Sequence, residues 1–380
     1  MRILQVVTLI SDDGAYGGPV RVAFNQAAAL RARGHEVTVA GGWRGDGTAP
    51  VPTDEADPVL FPVRTLVPAA GFAGLAAPGL VRWVRRRLGG VDVVHVHLAR
   101  DLVTLPVARA VLGAGAPLVV QPHGMIDPSG NPLARPLDAL LTRPVLRGAG
   151  RVLHLTGRER ADLVDVAGDT LRLEAVRNGV PEPAGRAARA PDAAPEVLFL
   201  ARLHPRKRPE AFVEMAQRLG AGGVQARFTM VGPAEGDATT PASRAAAGVT
   251  WEGALVPAQA AARIAAASVY VLPSVDEPYP MSVLEALSVG VPVVITESNG
   301  LAPLVRRTGC GIVVDTSVDS LVEAVRGLLA DPVARSAMGE RASRVARAEL
   351  GMAAVVEQLE AVYRAAPTGA GSFAGKSPQS

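Results

Sequence analysis

Two glutamates in the stretch DEPYPMSVLEALSVGVPVV, residues 276–294, are spaced to hold the two ends of one elongated ligand. Glu277 precedes and Glu285 follows a helix start marked by Pro280, and Gly290 with Pro292 marks the helix end. Eight residues at the helical rise separate the two carboxylates by roughly 12 Å. That distance is too long for a shared-proton pair or for the roughly 5 Å spacing of a retaining glycosidase.

The helix start between these glutamates predicts an anion site. Its free N–H groups and its dipole favour a phosphate, so carboxylate, phosphate site and carboxylate together suit a nucleotide-sugar. One acid would take sugar hydroxyls and the other ribose hydroxyls. Because apolar residues surround Glu285, its helix is expected to be buried, and its carboxylate then needs a partner. The alternative partner is a salt bridge within the core.

A cluster of basic residues in LFLARLHPRKRP, residues 198–209, points to the same ligand. Lysine occurs only at positions 207 and 376, and the rest of the 39 basic residues are arginines. A compact ammonium suits a position beside a diphosphate, so Lys207 is predicted to lie there with Arg202. The alternative is a chance lysine on a solvated loop.

Other motifs fail on spacing. The glycines after the first strand do not follow the dinucleotide pattern, and neither D-x-D nor H-E-x-x-H occurs. His95 and His97 share one face of a strand end, where they could form a metal pair or line the mouth of a cleft. With no carboxylate at ligand spacing, we predict no catalytic metal.

The elements that must position these residues alternate between strand and helix. Apolar runs predict strands at 3–9, 37–40, 91–97, 118–121 and 152–155, and again at 197–200, 226–231, 249–251, 269–272, 291–295 and 311–314. A Pro- and Ala-rich linker, residues 181–195, separates the two sets. The fold class is therefore α/β, with two doubly wound Rossmann-like parallel-sheet domains facing a cleft that binds the ligand.

Composition excludes several classes of protein. The chain has 380 residues, 48% hydrophobic and 20% charged, with a net charge of +3 and one cysteine, Cys310. These values indicate two globular domains and exclude a disulfide framework, and they do not suggest a nucleic-acid partner. No apolar run reaches the roughly 18 residues of a membrane helix. The expected location is the cytoplasm.

Taken in order, several stretches resemble glycosyltransferase family 4, the retaining transferases of the GT-B fold. They are GGPVRVAFNQAAALRARGHEVTV near the start, PHG at 122–124, RNGV at 177–180, ARLHPRK at 201–207, VGP at 231–233, and the E-x7-E of Glu277 and Glu285. Pro280 departs from the family, which usually has glycine there, so one backbone N–H is missing from the loop. The amides of Met281, Ser282 and Val283 must then bind the phosphate.

The resemblance implies an acceptor-binding domain at 1–185, a nucleotide-sugar-binding domain at 186–352 and a helix at 353–366 that packs back toward the first domain. The tail, 367–380, is expected to be disordered. The implied residues fall into three groups. The catalytic residues are His123, Arg202, Lys207 and Glu277; the donor-binding residues are Gly17, Gly18, Gly232, Pro280, Met281, Ser282, Val283 and Glu285; and the acceptor-side candidates are Asp13, Tyr16, His97, Arg100, Asp127 and Asn131.

The activity implied is transfer of a hexose-type sugar from a nucleoside-diphosphate donor, a UDP-sugar first and a GDP-sugar second, to a saccharide, natural product or lipid-linked glycan. No cofactor is expected. The alternatives are a nucleotide-sugar epimerase of the same architecture and a non-catalytic sugar-nucleotide binding protein. The basic stretch GLVRWVRRRLGG, residues 79–90, suggests a further partner, a membrane surface with weak peripheral contact.

Overall fold

The computed structural model describes residues 1–11, 17–45, 57–132, 134–182, 194–234, 244–245, 247–255 and 259–366. It divides into two compact units. The first comprises Met1–Asp12, Pro19–Arg177 and Val356–Ser380, and the second comprises Asp13–Gly18 and Asn178–Val355. The chain thus returns to the first unit through its last helix.

The first unit contains a seven-stranded parallel sheet of order β3-β2-β1-β6-β7-β8-β9, beside a two-stranded antiparallel pair, β4-β5. The sheet brings polar residues of three strands into register, because Gln5 pairs with His95, and His97 pairs with Gln121. The strands are β1 (Arg2–Ser11), β2 (Glu36–Arg44), β3 (Val59–Pro62), β4 (Arg64–Thr65), β5 (Leu75–Ala76), β6 (Val93–His97), β7 (Leu118–Gln121), β8 (Arg151–His154) and β9 (Leu173–Ala175).

Helices follow these strands along the chain, as parallel pairing requires. They are α1 (Gly17–Ala32), α2 (Pro78–Arg87), α3 (Thr104–Gly113), α4 (Ala134–Leu137), a π-helical turn (Asp138–Thr142), α5 (Arg143–Gly148) and α6 (Gly157–Ala167), with short 3₁₀ segments at Pro68–Gly74 and Leu88–Gly90.

The second unit contains a six-stranded parallel sheet of order β12-β11-β10-β13-β14-β15. Its strands are β10 (Glu196–Leu200), β11 (Arg227–Val231), β12 (Val249–Trp251), β13 (Val269–Leu272), β14 (Val293–Thr296) and β15 (Gly311–Val314). Its helices are α7 (Pro209–Ala221), α8 (Ala260–Ala265), α9 (Met281–Ser288), α10 (Ala302–Thr308), α11 (Val318–Ala330) and α12 (Pro332–Glu349). The terminal helix, α13 (Met352–Ala365), belongs mostly to the first unit.

Both sheets are buried on both faces, which explains their uninterrupted apolar sequences. Strands β6, β7, β13 and β14 consist of buried residues throughout. The predicted α/β class with two doubly wound parallel sheets is confirmed, and each predicted strand is present. Strands β3 and β9 and the β4-β5 pair were not predicted.

The division between the units falls at Arg177 and Asn178 and again at Val355 and Val356, whereas the sequence placed the boundaries at 185 and 352. Most of the predicted linker, 183–193, and the tail, 367–380, lie outside the described residues. No helix among the described residues has the length and apolar character needed to span a membrane.

Candidate active site

The loop after strand β10 holds the lysine that composition singled out. A 3₁₀ turn, Pro205–Lys207, is capped by His204, whose side chain accepts a hydrogen bond from the Arg206 amide. Arg208 then takes a left-handed conformation at φ +53°. This sharp turn, which starts helix α7, sends the Lys207 side chain inward, where it is 14% exposed.

Lys207 forms an ion pair with Glu277, which follows strand β13. Glu277 is buried, and its loop is fixed by its neighbours: its carbonyl accepts from the Gly300 amide at 2.8 Å, and the Val275 amide donates to Arg206 at 2.9 Å. Burial lowers the pKa of Lys207, and the Glu277 carboxylate opposes that shift. The structure therefore brings together a cation and an acid that lie 70 residues apart in the sequence.

Helix α9 begins directly after this pair. Pro280 is its N-cap and lacks a capping side chain, and the Val283 amide already donates to the Pro280 carbonyl at 3.2 Å. Of the three amides predicted to bind phosphate, Val283 is thus engaged, which leaves Met281 and Ser282. The Ser282 hydroxyl lies 2.7 Å from Tyr270 Oη.

Glu285 lies inside α9 and is buried, as expected for a helix that is apolar on nearly every side. The helix ends where the sequence predicts, because Gly290 adopts φ +75°, a conformation that favours glycine. Glu277 therefore precedes the N-terminus of α9, and Glu285 lies within the helix.

The remaining basic residues of this loop differ from Lys207. Arg206 is exposed, and Arg202 is half-buried. Arg208 donates to the Thr316 carbonyl at 2.8 Å, so it fixes this loop to the turn that follows strand β15. Gly232, predicted to bind donor, has a structural requirement of its own, since a Cβ there would lie 2.0 Å from the Ala201 carbonyl oxygen.

In the first unit, His123 lies at the end of a column of histidine rings. The rings of His95 and His97 stack at 4.6 Å, and those of His97 and His123 are nearly parallel, with an interplanar angle of 6° and centroids 5.0 Å apart. His97 Nδ1 is 2.8 Å from His123 Nε2, and His95 Nδ1 is 2.8 Å from the hydroxyl of Tyr363 on α13. Burial lowers the pKa of His95 and of His123 to about 3, and that of His97 well below its usual range. The three rings are therefore neutral at physiological pH.

The backbone at His123 is held by a carboxylate from helix α6. Glu159 accepts from the Gly124 amide at 2.6 Å and from the Leu155 amide at 2.7 Å. Thr156 caps the same helix through the Glu159 amide, as in the T-x-x-E capping pattern. His123 itself adopts φ +56°, so its ring is presented by a left-handed turn whose next amide the Glu159 carboxylate holds.

The acceptor-side candidates fall into different environments. His97 is fully buried, so it contacts His123 instead of lining the mouth of a cleft. Arg100 makes bonds of 2.9 and 3.1 Å to Asp138 and one of 3.1 Å to Asp127, while Asn131 is exposed. Asp13 and Tyr16 lie outside the described residues. Gly17 begins helix α1, and Gly18 is exposed with open space around it.

Left-handed backbone at non-glycine residues coincides with these two clusters. In the described part of the chain, the non-glycine residues with positive φ are His123, Arg208 and Asp276. They are a predicted catalytic residue and the direct neighbours of Lys207 and Glu277. Such conformations cost on the order of 1–3 kcal/mol and persist where the surroundings enforce them, commonly at functional sites.

The basic stretch proposed to contact a membrane is helix α2. Leu80 and Val84 face the core, while Trp83 packs against Phe61 and has the Arg87 guanidinium 4.1 Å above its ring. Trp83 is therefore engaged within the protein.

Among the described residues, no group of three or more histidine, cysteine or acidic side chains is arranged to hold a metal ion.

Two family models match the chain, one in each half. Residues 17–179 match the glycosyl transferase 4-like domain, and residues 194–331 match glycosyl transferases group 1. The chain therefore belongs to the glycosyltransferases of the GT-B fold and resembles family 4, as its motifs indicate.

Individual relatives and a solved structure agree with this assignment. The alpha-D-kanosaminyltransferase of Streptomyces kanamyceticus is 27% identical over 329 residues, covering 77% of this chain and 84% of the relative. A D-inositol 3-phosphate glycosyltransferase of Kineococcus radiotolerans is 32% identical over 255 residues, covering 58% of each chain. The structure of Anabaena HepE matches with a TM-score of 0.73 at 18% identity, covering 94% of this chain and 99% of HepE.

Sequence reasoning missed the residues that support the site. Asp138 and Tyr363 are distant in sequence from their partners and carry no local signal. Glu159 could have been found, because Thr156 and Glu159 form a capping pattern directly after strand β8. The binding and catalytic roles of the predicted site residues stay predictions.

Proposed function

We propose that the chain transfers a hexose-type sugar from a nucleoside-diphosphate donor to a hydroxyl acceptor, with retention of configuration and without a metal ion. The observation that carries this proposal is the buried Lys207–Glu277 ion pair at the start of helix α9, with Glu285 inside that helix. A cation, a free helix N-terminus and two acids match the charge pattern of a nucleotide-sugar.

The chemistry follows from where charge develops. Breaking the bond between sugar and phosphate places positive charge on the ring and negative charge on the leaving diphosphate. Lys207, Arg202 and the amides of Met281 and Ser282 would stabilise the diphosphate, and the ion pair with Glu277 already holds Lys207 in place. Glu277 would hold hydroxyls of the transferred sugar, and Glu285 those of the ribose. The leaving phosphate would accept the proton of the acceptor on the same face of the ring.

The donor is proposed to be a UDP-sugar, with a GDP-sugar as the second choice. The HepE structures, which include complexes with UDP, with UDP and glucose, and with UDP-glucose, support the first choice. The acceptor is proposed to be a saccharide, a natural product or a lipid-linked glycan. Several relatives are named for D-inositol 3-phosphate, which makes that compound one acceptor to test.

Melting of the full chain should be measured with UDP- and GDP-sugars, followed by mass spectrometry of mixtures with candidate acceptors. We expect one nucleotide-sugar to raise the melting temperature and one acceptor to gain a hexose, with the anomeric configuration of the donor kept in the product. Lys207→Ala is the matched control, in which both effects should weaken.

Two results would contradict the proposal. A donor whose sugar is altered without any acceptor would indicate the epimerase, and inversion in the product would exclude the retaining mechanism. Binding of a nucleotide-sugar with no transfer to any acceptor and no slow hydrolysis would indicate a binding protein.

A cytoplasmic location is also proposed, because the chain has a single cysteine, Cys310, and so carries no disulfide framework of the kind found in oxidising compartments. Weak membrane contact through α2 stays a proposal that rests on its exposed arginines, Arg82, Arg85, Arg86 and Arg87. Sedimentation with anionic vesicles at physiological salt tests it, and protein that stays in the supernatant would exclude it.

A further inference from the structure

The histidine column in the first unit contains two rings with different accessibility. His97 is fully buried, while His123 is half-buried, so of these two residues His123 keeps some exposed surface. His97 Nδ1 and His123 Nε2 lie 2.8 Å apart, which is a hydrogen-bond distance. Because both rings are neutral, one of these two nitrogens carries the shared hydrogen and the other accepts it.

The second nitrogen of His97 indicates which ring donates. His97 Nε2 is buried and has no hydrogen-bond partner among the described residues. If His123 were the donor, neutral His97 would carry its hydrogen on Nε2, as a buried N–H without an acceptor. If His97 donates from Nδ1, its Nε2 is only an acceptor without a donor. Buried N–H groups without a partner are the rarer of the two in proteins.

We infer that His97 is a positioning residue, which donates its Nδ1–H to His123 Nε2 and thereby holds His123 in the Nδ1–H tautomer. His123 then presents an N–H at Nδ1, the nitrogen that His97 does not occupy. That N–H can donate to an oxygen of the substrate but cannot accept a proton from it. This inference deepens the proposed function and, for its catalytic consequence, rests on it.

Several contacts leave His123 little freedom to choose another arrangement. The parallel ring planes of His97 and His123 restrict rotation of the His123 side chain. The Glu159 carboxylate holds the amide of the next residue, Gly124, and thereby the backbone that carries the ring. Burial also lowers the pKa of His123 to about 3, so the imidazolium, in which both nitrogens donate, is disfavoured at neutral pH.

The tautomer can be measured directly on the full chain without any substrate. With ¹⁵N-labelled histidine, two-bond ¹H–¹⁵N spectra distinguish the nitrogen that carries hydrogen from the one that does not. The chain has six histidines, and single-histidine variants assign their signals. We expect hydrogen on Nδ1 of both His97 and His123 in the wild type, and a shift of His123 toward the Nε2–H form in His97→Leu. Hydrogen on His123 Nε2 in the wild type would overturn the inference.

A pair of amide variants tests the catalytic consequence. Asparagine places an N–H near the former Nδ1 of His97, whereas glutamine places one near the former Nε2. Both side chains are polar, but only asparagine keeps a hydrogen-bond donor where Nδ1 faces His123. We expect His97→Asn to keep kcat within about threefold, and His97→Gln to lower kcat by about tenfold to a hundredfold with little change in KM for UDP-glucose. If the two variants lose kcat equally, and in proportion to their loss of melting temperature, His97 only supports the fold.

The two measurements separate this inference from the proposed function. Should the wild type transfer no sugar, the proposed function fails, while the ¹⁵N spectra still decide the tautomer. His95→Asn serves as a control, because His95 stacks on His97 without bonding to His123. That variant should leave the His123 tautomer unchanged.

Discussion

Replacing Lys207 with alanine separates a structural ion pair from one that serves a diphosphate. The side chains of Lys207 and Glu277 are 14% and 8% exposed. Removing the lysine therefore leaves a carboxylate that is buried without its cation, which typically destabilises a protein by about 3–5 kcal/mol. We expect Lys207→Ala to unfold at lower urea concentration for this reason alone, whether or not a nucleotide binds nearby.

Binding of UDP provides the second measurement. A diphosphate that loses a charged hydrogen-bond donor should bind more weakly by about 1.5–3 kcal/mol, a loss of roughly tenfold to a hundredfold in affinity. Glu277→Gln removes the anion and keeps the shape, so it should leave the affinity for free UDP unchanged or higher. Lys207→Arg should restore affinity only in part, because a planar guanidinium differs from a compact ammonium in size and geometry.

A double variant, Lys207→Met with Glu277→Gln, is the matched control for stability. Replacing both charges removes the unpaired buried carboxylate, so this variant should recover most of the lost stability while UDP still binds weakly. Calorimetry with UDP and urea denaturation of the four variants give both quantities. The reasoning is refuted if Lys207→Ala binds UDP as the wild type does, or if Lys207→Arg restores full affinity and turnover.

Three further predictions concern the acids, the histidines and metal. Glu285→Ala should weaken the binding of UDP and of the donor alike and raise KM. Glu277→Ala should lower kcat by about tenfold to a hundredfold with nearly normal UDP binding. If calorimetry shows that both variants weaken UDP binding equally, the two glutamates are assigned to the wrong ends of the donor. Because the folded pKa of His95, His97 and His123 lies below the unfolded value near 6.5, their contribution to stability is complete above that pH and is lost as pH falls toward 3. His95 and His123, whose pKa burial lowers to about 3, should each cost about 2 kcal/mol of the free energy of unfolding between pH 7 and 5. Urea denaturation should show a smaller loss over this pH range in His95→Phe and an unchanged loss in the exposed control His204→Phe. Turnover should persist in excess chelator, and activity that is lost there and restored by Mg²⁺ or Mn²⁺ would contradict a metal-independent reaction.

The central strands were predictable because burial on both faces gives a continuous apolar run. Strand β14, Val293–Thr296, is buried at every residue and was found from sequence alone. The edge strands β3 and β9 have half-buried or exposed residues and only three or four positions each. Short edge strands have neither a continuous apolar run nor enough alternation to register as a pattern.

The positions of Lys207, Glu277 and helix α9 were largely predictable because their signals are local. Pro280 and Gly290 mark a helix, and a single lysine among arginines stands out by composition. The structure adds contacts that no local pattern contains: Lys207 pairs directly with Glu277, and the Val283 amide is used within its own helix. The ion pair joins two residues that the sequence analysis had assigned separately, Lys207 to the diphosphate and Glu277 to the sugar.

The histidine column shows why the first unit was harder to predict. A strand period of two places His95 and His97 on one face, and the sequence stops there, because burial of that face depends on helix α13 from the far end of the chain. Tyr363 covers His95, and His123 reaches His97 only because its own backbone takes φ +56° beside a glycine held by Glu159. The same contacts that bury His97 give it a hydrogen-bond partner in His123 Nε2, and its own Nε2 has none within the described part of the chain. We therefore expect this buried imidazole to act on the substrate through the His123 ring that it holds and not by binding the acceptor itself.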